Sequence, residues 1–144
     1  MNKGISVIKK WEGLKLNAYI CPAGLPTIGY GNTFYENGSK VKMGERITVE
    51  RADQLLFHTV QQFEISVRKL LTKPLTDNQI GALTSFAFNV GVGNFRKSTL
   101  LRKVNANPND PAIRAEFMRW TRANGRVLNG LVSRRKEEAD LFFS

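Results

Sequence analysis

Cysteine and histidine are nearly absent from this sequence, with one of each in 144 residues. A single cysteine, Cys21, excludes a disulfide within the chain. A single histidine, His58, leaves too few ligands for a zinc site built from Cys and His. No run approaches the roughly 18 consecutive apolar residues of a membrane-spanning helix. Near the N-terminus, residues 5–8 form an apolar stretch too short for the core of a secretory signal. The expectation is a product made in a cytoplasm with no export signal of its own. Acidic residues are also few, 12 against 22 Lys plus Arg, which leaves a net charge of +10. Such a surface favours polyanions: nucleic acid, anionic membranes or acidic wall polymers. Charge alone does not choose among them.

What remains is an ordinary globular composition, 42% apolar, at the length of one domain. Ile5, Ile8 and Trp11 make a short helical stripe that runs up to Glu12-Gly13. Residues 14–20 then alternate, as a half-buried strand does. Pro22-Ala23-Gly24 is a turn, and Thr27-Ile28-Gly29-Tyr30-Gly31 is expected to be a second strand. After Thr48 the period is helical. Ala52, Leu55, Leu56, Val60, Phe63 and Val67 follow it until Lys73-Pro74. Thr76-Asp77-Asn78-Gln79 fits a capping box and Gly91 a stop, while Asp110-Pro111 fits an N-cap followed by proline. Residues 131–143 read as an amphipathic helix. The fold class is therefore α+β, without repeats or linkers.

Glu12 closes the first helix where the β-region opens, and a carboxylate at such a junction sits where clefts form. Most glutamates are merely solvated, so position alone does not make it catalytic. His58 lies off the apolar stripe and is expected at the surface. Gly29-Tyr30-Gly31 is too short for a phosphate-binding loop. Phe63, Phe86, Phe88, Phe117, Trp120 and Phe142 are expected in the core.

The segment Glu12-Gly13-Leu14-Lys15-Leu16-Asn17-Ala18-Tyr19, then Cys21, Gly24 and Thr27-Ile28-Gly29-Tyr30-Gly31-Asn32-Thr33, closely resembles the signature of phage-type lysozymes. These are the endolysin muramidases of glycoside hydrolase family 24. In that family a glutamate is followed after eight residues by aspartate or cysteine, and after five more by threonine. Glu12, Cys21 and Thr27 keep both spacings. The stretch from Asp77-Asn78-Gln79 to Asn89-Val90-Gly91 resembles the family's central helix. Gly130-Leu131-Val132-Ser133-Arg134-Arg135, with Leu141-Phe142 behind it, resembles its ending.

That resemblance implies a single lysozyme-like domain over residues 1–144. It has a small N-terminal β-hairpin lobe (about 14–47), a larger helical lobe (about 1–12 and 48–144) and an active-site cleft between them. It implies Glu12 as the proton donor, Thr27 as the residue that holds water, and Cys21 where aspartate is more familiar. For Cys21, water positioning, thiolate chemistry and a covalent adduct all stay open. Arg134 matches a supporting arginine that reaches the glutamate, although Arg134-Arg135-Lys136 also reads as a basic run on a solvated face. No metal or other cofactor is expected. The implied activity is hydrolysis of the β-1,4 bond between N-acetylmuramic acid and N-acetylglucosamine in peptidoglycan, with inversion if the family's usual course holds. The implied setting is a monomer kept in the host cytoplasm until a holin-type pore releases it to the cell wall.

A lytic transglycosylase is the near alternative, and retention of Thr27 argues against it. From another class comes a basic nucleic-acid-binding protein, which no recognisable motif supports. A membrane-active tail over residues 131–143 is weakened by Glu137, Glu138 and Asp140.

Overall fold

A computed structural model describes residues 1–144. The chain divides into a small compact unit, residues 9–61, and a large one made of residues 1–8 and 62–144. Helix α1 (Ile5–Glu12) buries Ile5 and Ile8 on the stripe seen in the sequence. It stops at Gly13, whose φ of 71° is left-handed and whose N–H reaches back to the Lys9 carbonyl at 3.2 Å. Glycine takes that conformation without a Cβ penalty, so the chain leaves the helix immediately after Glu12.

In the small unit, β1 (Lys15–Ile20) and β2 (Pro26–Gly29) pair antiparallel, with Tyr19 opposite Thr27 and Lys15 opposite Gly29. The register shifts between Lys15 and Tyr19. The second strand is shorter than the sequence suggests. It ends at Gly29, and the next two residues reverse the chain instead of extending it. Gly29, the last residue of the strand, and Gly31 have positive φ, 68° and 90°, outside the extended range, so the strand cannot continue past Gly29. Ile28, Val41 and Leu55 form the core of this unit, with Ala18, Tyr35 and Ile47 packed against them. Helix α2 (Val49–Leu70) begins in the small unit and ends in the large one. At its start Arg51 grips Glu36 through two 2.6 Å hydrogen bonds, and that guanidinium holds the Glu36 carboxyl down at about 2. His58 is exposed on α2.

The large unit contains α3 (Asp77–Val90), α4 (Val92–Lys97), α5 (Thr99–Ala106), α6 (Ile113–Phe117), the hairpin β3 (Arg122–Ala123) and β4 (Arg126–Val127), and α7 (Asn129–Phe142). Thr76 forms the capping box at the start of α3: its hydroxyl accepts from the Gln79 N–H while the Gln79 side chain accepts from the Thr76 N–H. Gly91 ends the helix as its position suggests. The Asp110-Pro111 signal is partly realised. Asp110 accepts from the Ala112 N–H at 2.9 Å, but a turn intervenes and the helix begins only at Ile113. Every residue from Gln79 to Ala87 is buried, so α3 is the central helix of this unit. Phe86 sits in its middle, edge-on to Phe95, Phe117 and Trp120 at 6.1, 5.7 and 5.6 Å between centroids. Edge-to-face pairs of this kind add to simple area burial.

Helix α7 departs most from expectation. It starts at Asn129, two residues before the expected beginning, so Arg134 lies within it and not at its start. Arg134 and Arg135 are buried, not part of a solvated basic face, and Glu138 is buried with them. Arg135 Nε lies 2.7 Å from Glu138 Oε1, Ser85 donates to Glu138 Oε2 at 2.5 Å, and the Arg135 guanidinium stacks 5.1 Å over Phe86. Burial pushes the Glu138 carboxyl up against the pull of both arginines, and it pushes Arg135 down. Removing one partner would leave charge stranded in the core. Glu138→Ala is expected to destabilise the fold by about 3–5 kcal/mol. Thermal unfolding checks this, and a melting temperature equal to that of the wild type would show that the cluster is energetically idle.

Candidate active site

Glu12 is the last residue of α1 and is half-buried. The chain comes back to it at Gly31. The Ile28 and Asn32 backbones exchange both hydrogen bonds at 2.9 Å, which closes a three-residue reversal over Gly29-Tyr30-Gly31. A Cβ on Gly31 would stand 3.7 Å from Glu12 Oε2, and no other heavy atom would lie within 4 Å of it. The left-handed φ of 90° is what calls for glycine here, and the turn it makes places residue 31 beside the carboxylate. Tyr30, between the two glycines, is buried, with Lys9 Nζ 5.7 Å from its ring. Lys9 is also tied to Asp53 at 2.9 Å. The α1 turn that carries Glu12 is thus fastened to α2 within the same unit.

Cys21 follows the end of β1, and Thr27, which lies opposite Tyr19, is its diagonal neighbour across the hairpin. The Cys21 N–H donates to the Leu25 carbonyl at 3.0 Å, and the Gly24 N–H donates to the Cys21 carbonyl at 2.8 Å. This tight turn brings residue 27 back beside residue 21. Thr27 is buried, and its hydroxyl donates to the Leu25 carbonyl at 2.9 Å. The same hydroxyl is the main reason that the Cys21 thiol lies below its ordinary range, with backbone groups at Leu25 and Ala23 adding to it against a smaller effect of burial. A hydroxyl has one proton to donate, so Thr27 serves the Leu25 carbonyl while Cys21 is a thiol and can turn toward the sulfur when it becomes a thiolate. Cys21 is partly exposed, so its sulfur is within reach of solvent. The pair is a polar, wettable spot with an adjustable proton.

Arg134 belongs to the large unit. Its Nε and Nη2 lie 3.4 Å from Glu138 Oε2 and from the Ser85 carbonyl. These contacts hold the guanidinium in a fixed orientation. A separate open pocket of about 410 Å³ in the large unit is lined by Asn89, Asn94, Trp120, Arg122 and Leu131, among others. No group of three or more His, Cys, Asp or Glu side chains comes together to hold a metal ion.

A family model described as phage lysozyme matches residues 9–138. The chain belongs to the phage lysozyme family. Among its relatives, this phage lysozyme homologue is 43% identical over 143 residues to an endolysin of Bacillus phage B103, covering 98% of this chain and 52% of that one. The chain thus spans about half the length of the Bacillus phage endolysins it matches. It is 42% identical over 146 residues to an endolysin of Acyrthosiphon pisum secondary endosymbiont phage 1, covering 99% of this chain and 96% of that one. Among solved structures, an endolysin from Escherichia coli O157:H7 phage FAHEc1 superimposes with a TM-score of 0.90 at 38% identity, covering 100% of this chain and 92% of that one. The lysozyme-like α+β class expected from the motifs is therefore the observed one.

Two features of this phage lysozyme chain escape a reading by motif, one in each unit. The first is Gly31 beside Glu12, which the strand expectation hid. Two glycines flanking one aromatic were the available signal for a reversal. The second is the Ser85–Glu138–Arg134 cluster, whose members are scattered over two helices.

Proposed function

We propose that this chain hydrolyses the β-1,4 bond between N-acetylmuramic acid and N-acetylglucosamine in peptidoglycan, with Glu12 as the acid. The observation that carries the reading is the half-buried Glu12 carboxylate beside Gly31, in a unit that also pairs Cys21 with Thr27. Glu12 gives its proton to the leaving glycosidic oxygen as the bond to the anomeric carbon breaks. A water seated on the Thr27 hydroxyl attacks that carbon and sheds its proton to the Cys21 sulfur. Glu12 and Cys21 then regain their starting states through solvent. Arg134 keeps the supporting role that its place in the motif implies, its guanidinium bound within its own unit by Glu138 and the Ser85 carbonyl. The indole, amides and guanidinium of the large-unit pocket suit an amide- and carboxylate-bearing polymer.

Mass spectrometry of digested cell wall tests the reaction itself. Reducing-end sugars that have gained water support hydrolysis, whereas anhydro ends would replace it with transglycosylation. No helix of the chain is long and apolar enough to cross a membrane. We assign release to a holin-type pore and action to a monomer, acting on the wall from the side of the host cytoplasm.

Net charge of +10 gives a second expectation. If it steers the enzyme to an acidic envelope, wall lysis should fall as salt rises, because the Debye length shrinks from about 10 Å at 0.1 M to about 3 Å at 1 M. Cleavage of a small uncharged oligosaccharide should hardly respond. Equal salt sensitivity on both substrates would mean that salt acts on the enzyme and not on the encounter.

A further inference from the structure

The link between Asn32 and Thr59 has no part in the chemistry described so far. Asn32 is only 8% exposed. Its Nδ2 donates to Thr59 Oγ1 at 2.9 Å, and Thr59 Oγ1 donates in turn to the Leu55 carbonyl one helical turn back, also at 2.9 Å. The other end of the amide, Oδ1, is buried with no hydrogen-bond partner. An unmet buried acceptor is destabilising, and an apolar side chain of similar shape would avoid it. Packing alone therefore gives no reason for an amide at this position.

Its connections do give one. The Asn32 backbone closes the reversal with Ile28, and the Asn32 side chain fastens that reversal to α2. Oδ1 faces the first glycine of the loop, 3.6 Å from where a Gly29 Cβ would stand. The second glycine, next to Asn32 in the chain, is the one whose Cβ would stand 3.7 Å from Glu12 Oε2. Thr59, Asn32, Gly31 and Glu12 thus form one short mechanical chain inside the small unit.

We infer that Asn32 is a positioning residue for Glu12, anchored by Thr59 and acting through the Gly31 backbone. This rests on the reading of Glu12 as the acid. A carboxylate displaced by about 1 Å from its productive place can lose on the order of 10² in rate. The loss would fall on the chemical step and not on binding.

The test uses soluble, uncross-linked glycan strands, so that kcat and KM separate, on Asn32→Ala, Thr59→Val, Thr59→Ser and the Asn32→Ala/Thr59→Val double variant. Asn32→Ala and Thr59→Val should each lose about tenfold or more in kcat with KM little changed. Thr59→Ser keeps the hydroxyl and should keep kcat. The double variant should be no worse than Asn32→Ala, since the link is already cut. Wild-type kcat in folded Thr59→Val, a loss carried by KM, or losses that multiply would each overturn the inference. If Asn32→Ala does not fold, the two Thr59 variants decide alone. Glu12→Gln is measured alongside. An active Glu12→Gln overturns both the acid assignment and the inference, whereas an inactive Glu12→Gln with a fully active Thr59→Val overturns the inference only.

Discussion

Glu12→Gln should reduce lysis of a cell-wall suspension by at least the roughly 10²–10⁴-fold typical of an acid–base group, with thermal unfolding unchanged. Glutamine keeps the shape and the place beside Gly31 but has no proton to transfer. The glycosidic oxygen would then have to leave as a poorly stabilised alkoxide. Nothing in the geometry suggests compensation. Thr27 and Cys21 sit on the water side of the proposed reaction, and neither can take over protonation of the leaving group without abandoning the nucleophile. Turbidity loss over time measures the effect. A folded variant keeping more than about a tenth of wild-type lysis, well above the acid–base range, would remove Glu12 from its role.

Cys21→Ala should also lose activity, on the order of 10²-fold, without unfolding. Cys21→Asp should remain active. The reason lies in the direction of the thiol's titration. Thr27 favours the thiolate, which raises the fraction able to accept a proton from the attacking water. Aspartate supplies an acceptor already charged above about pH 4. The acid limb of the pH–rate profile should therefore move to lower pH in Cys21→Asp, since the base loses its function only when it becomes protonated. An alkylating reagent should inactivate the wild type and spare Cys21→Asp, because the sulfur is partly exposed. Full activity in folded Cys21→Ala would mean that Cys21 only packs the hairpin and that Thr27 holds the water alone.

How far the sequence could be read depended on whether a signal was local. The stripe Ile5, Ile8, Trp11, the stop at Gly13, the capping box at Thr76 and the stop at Gly91 all act within one helical turn, and all appear as expected. Three failures have different origins. For β2, alternation continued through Gly29 and Gly31, but alternation says nothing about φ, and two positive values bent the chain. The β3–β4 hairpin announced itself only by Asn124-Gly125, whose positive φ values of 53° and 77° suit a two-residue turn. For Arg134 and Arg135, the error was to treat charge as a proxy for exposure. Burial was set by Ser85 and Phe86 on α3 and by Glu138 on α7, a tertiary fact no window of neighbouring residues contains. At the proposed site, the spacing of Glu12, Cys21 and Thr27 is a local pattern that a sequence displays, whereas the neighbourhood of Gly31, Asn32 and Thr59 arises only when the loop closes on itself.

Asn2, near the start of the chain, and Ser144 at its other end are both moored to α3. Asn2 donates to Thr84 at 3.1 Å, and Ser144 accepts from Asn78 at 2.9 Å. Six positions along a helix correspond to about 9 Å of rise. Gly4 is pressed so closely on Gly81 that a Cβ on it would stand 2.2 Å from the Gly81 carbonyl oxygen. The opening segment therefore has a seat that does not exist until α3 has been synthesised. During translation, residues 9–61 are complete before any of α3 appears, and the eight residues ahead of them must wait. Order of manufacture and order of assembly run in opposite senses at the start of this chain. A bridge of a few residues between its ends would turn the large unit, now interrupted by residues 9–61, into one uninterrupted run.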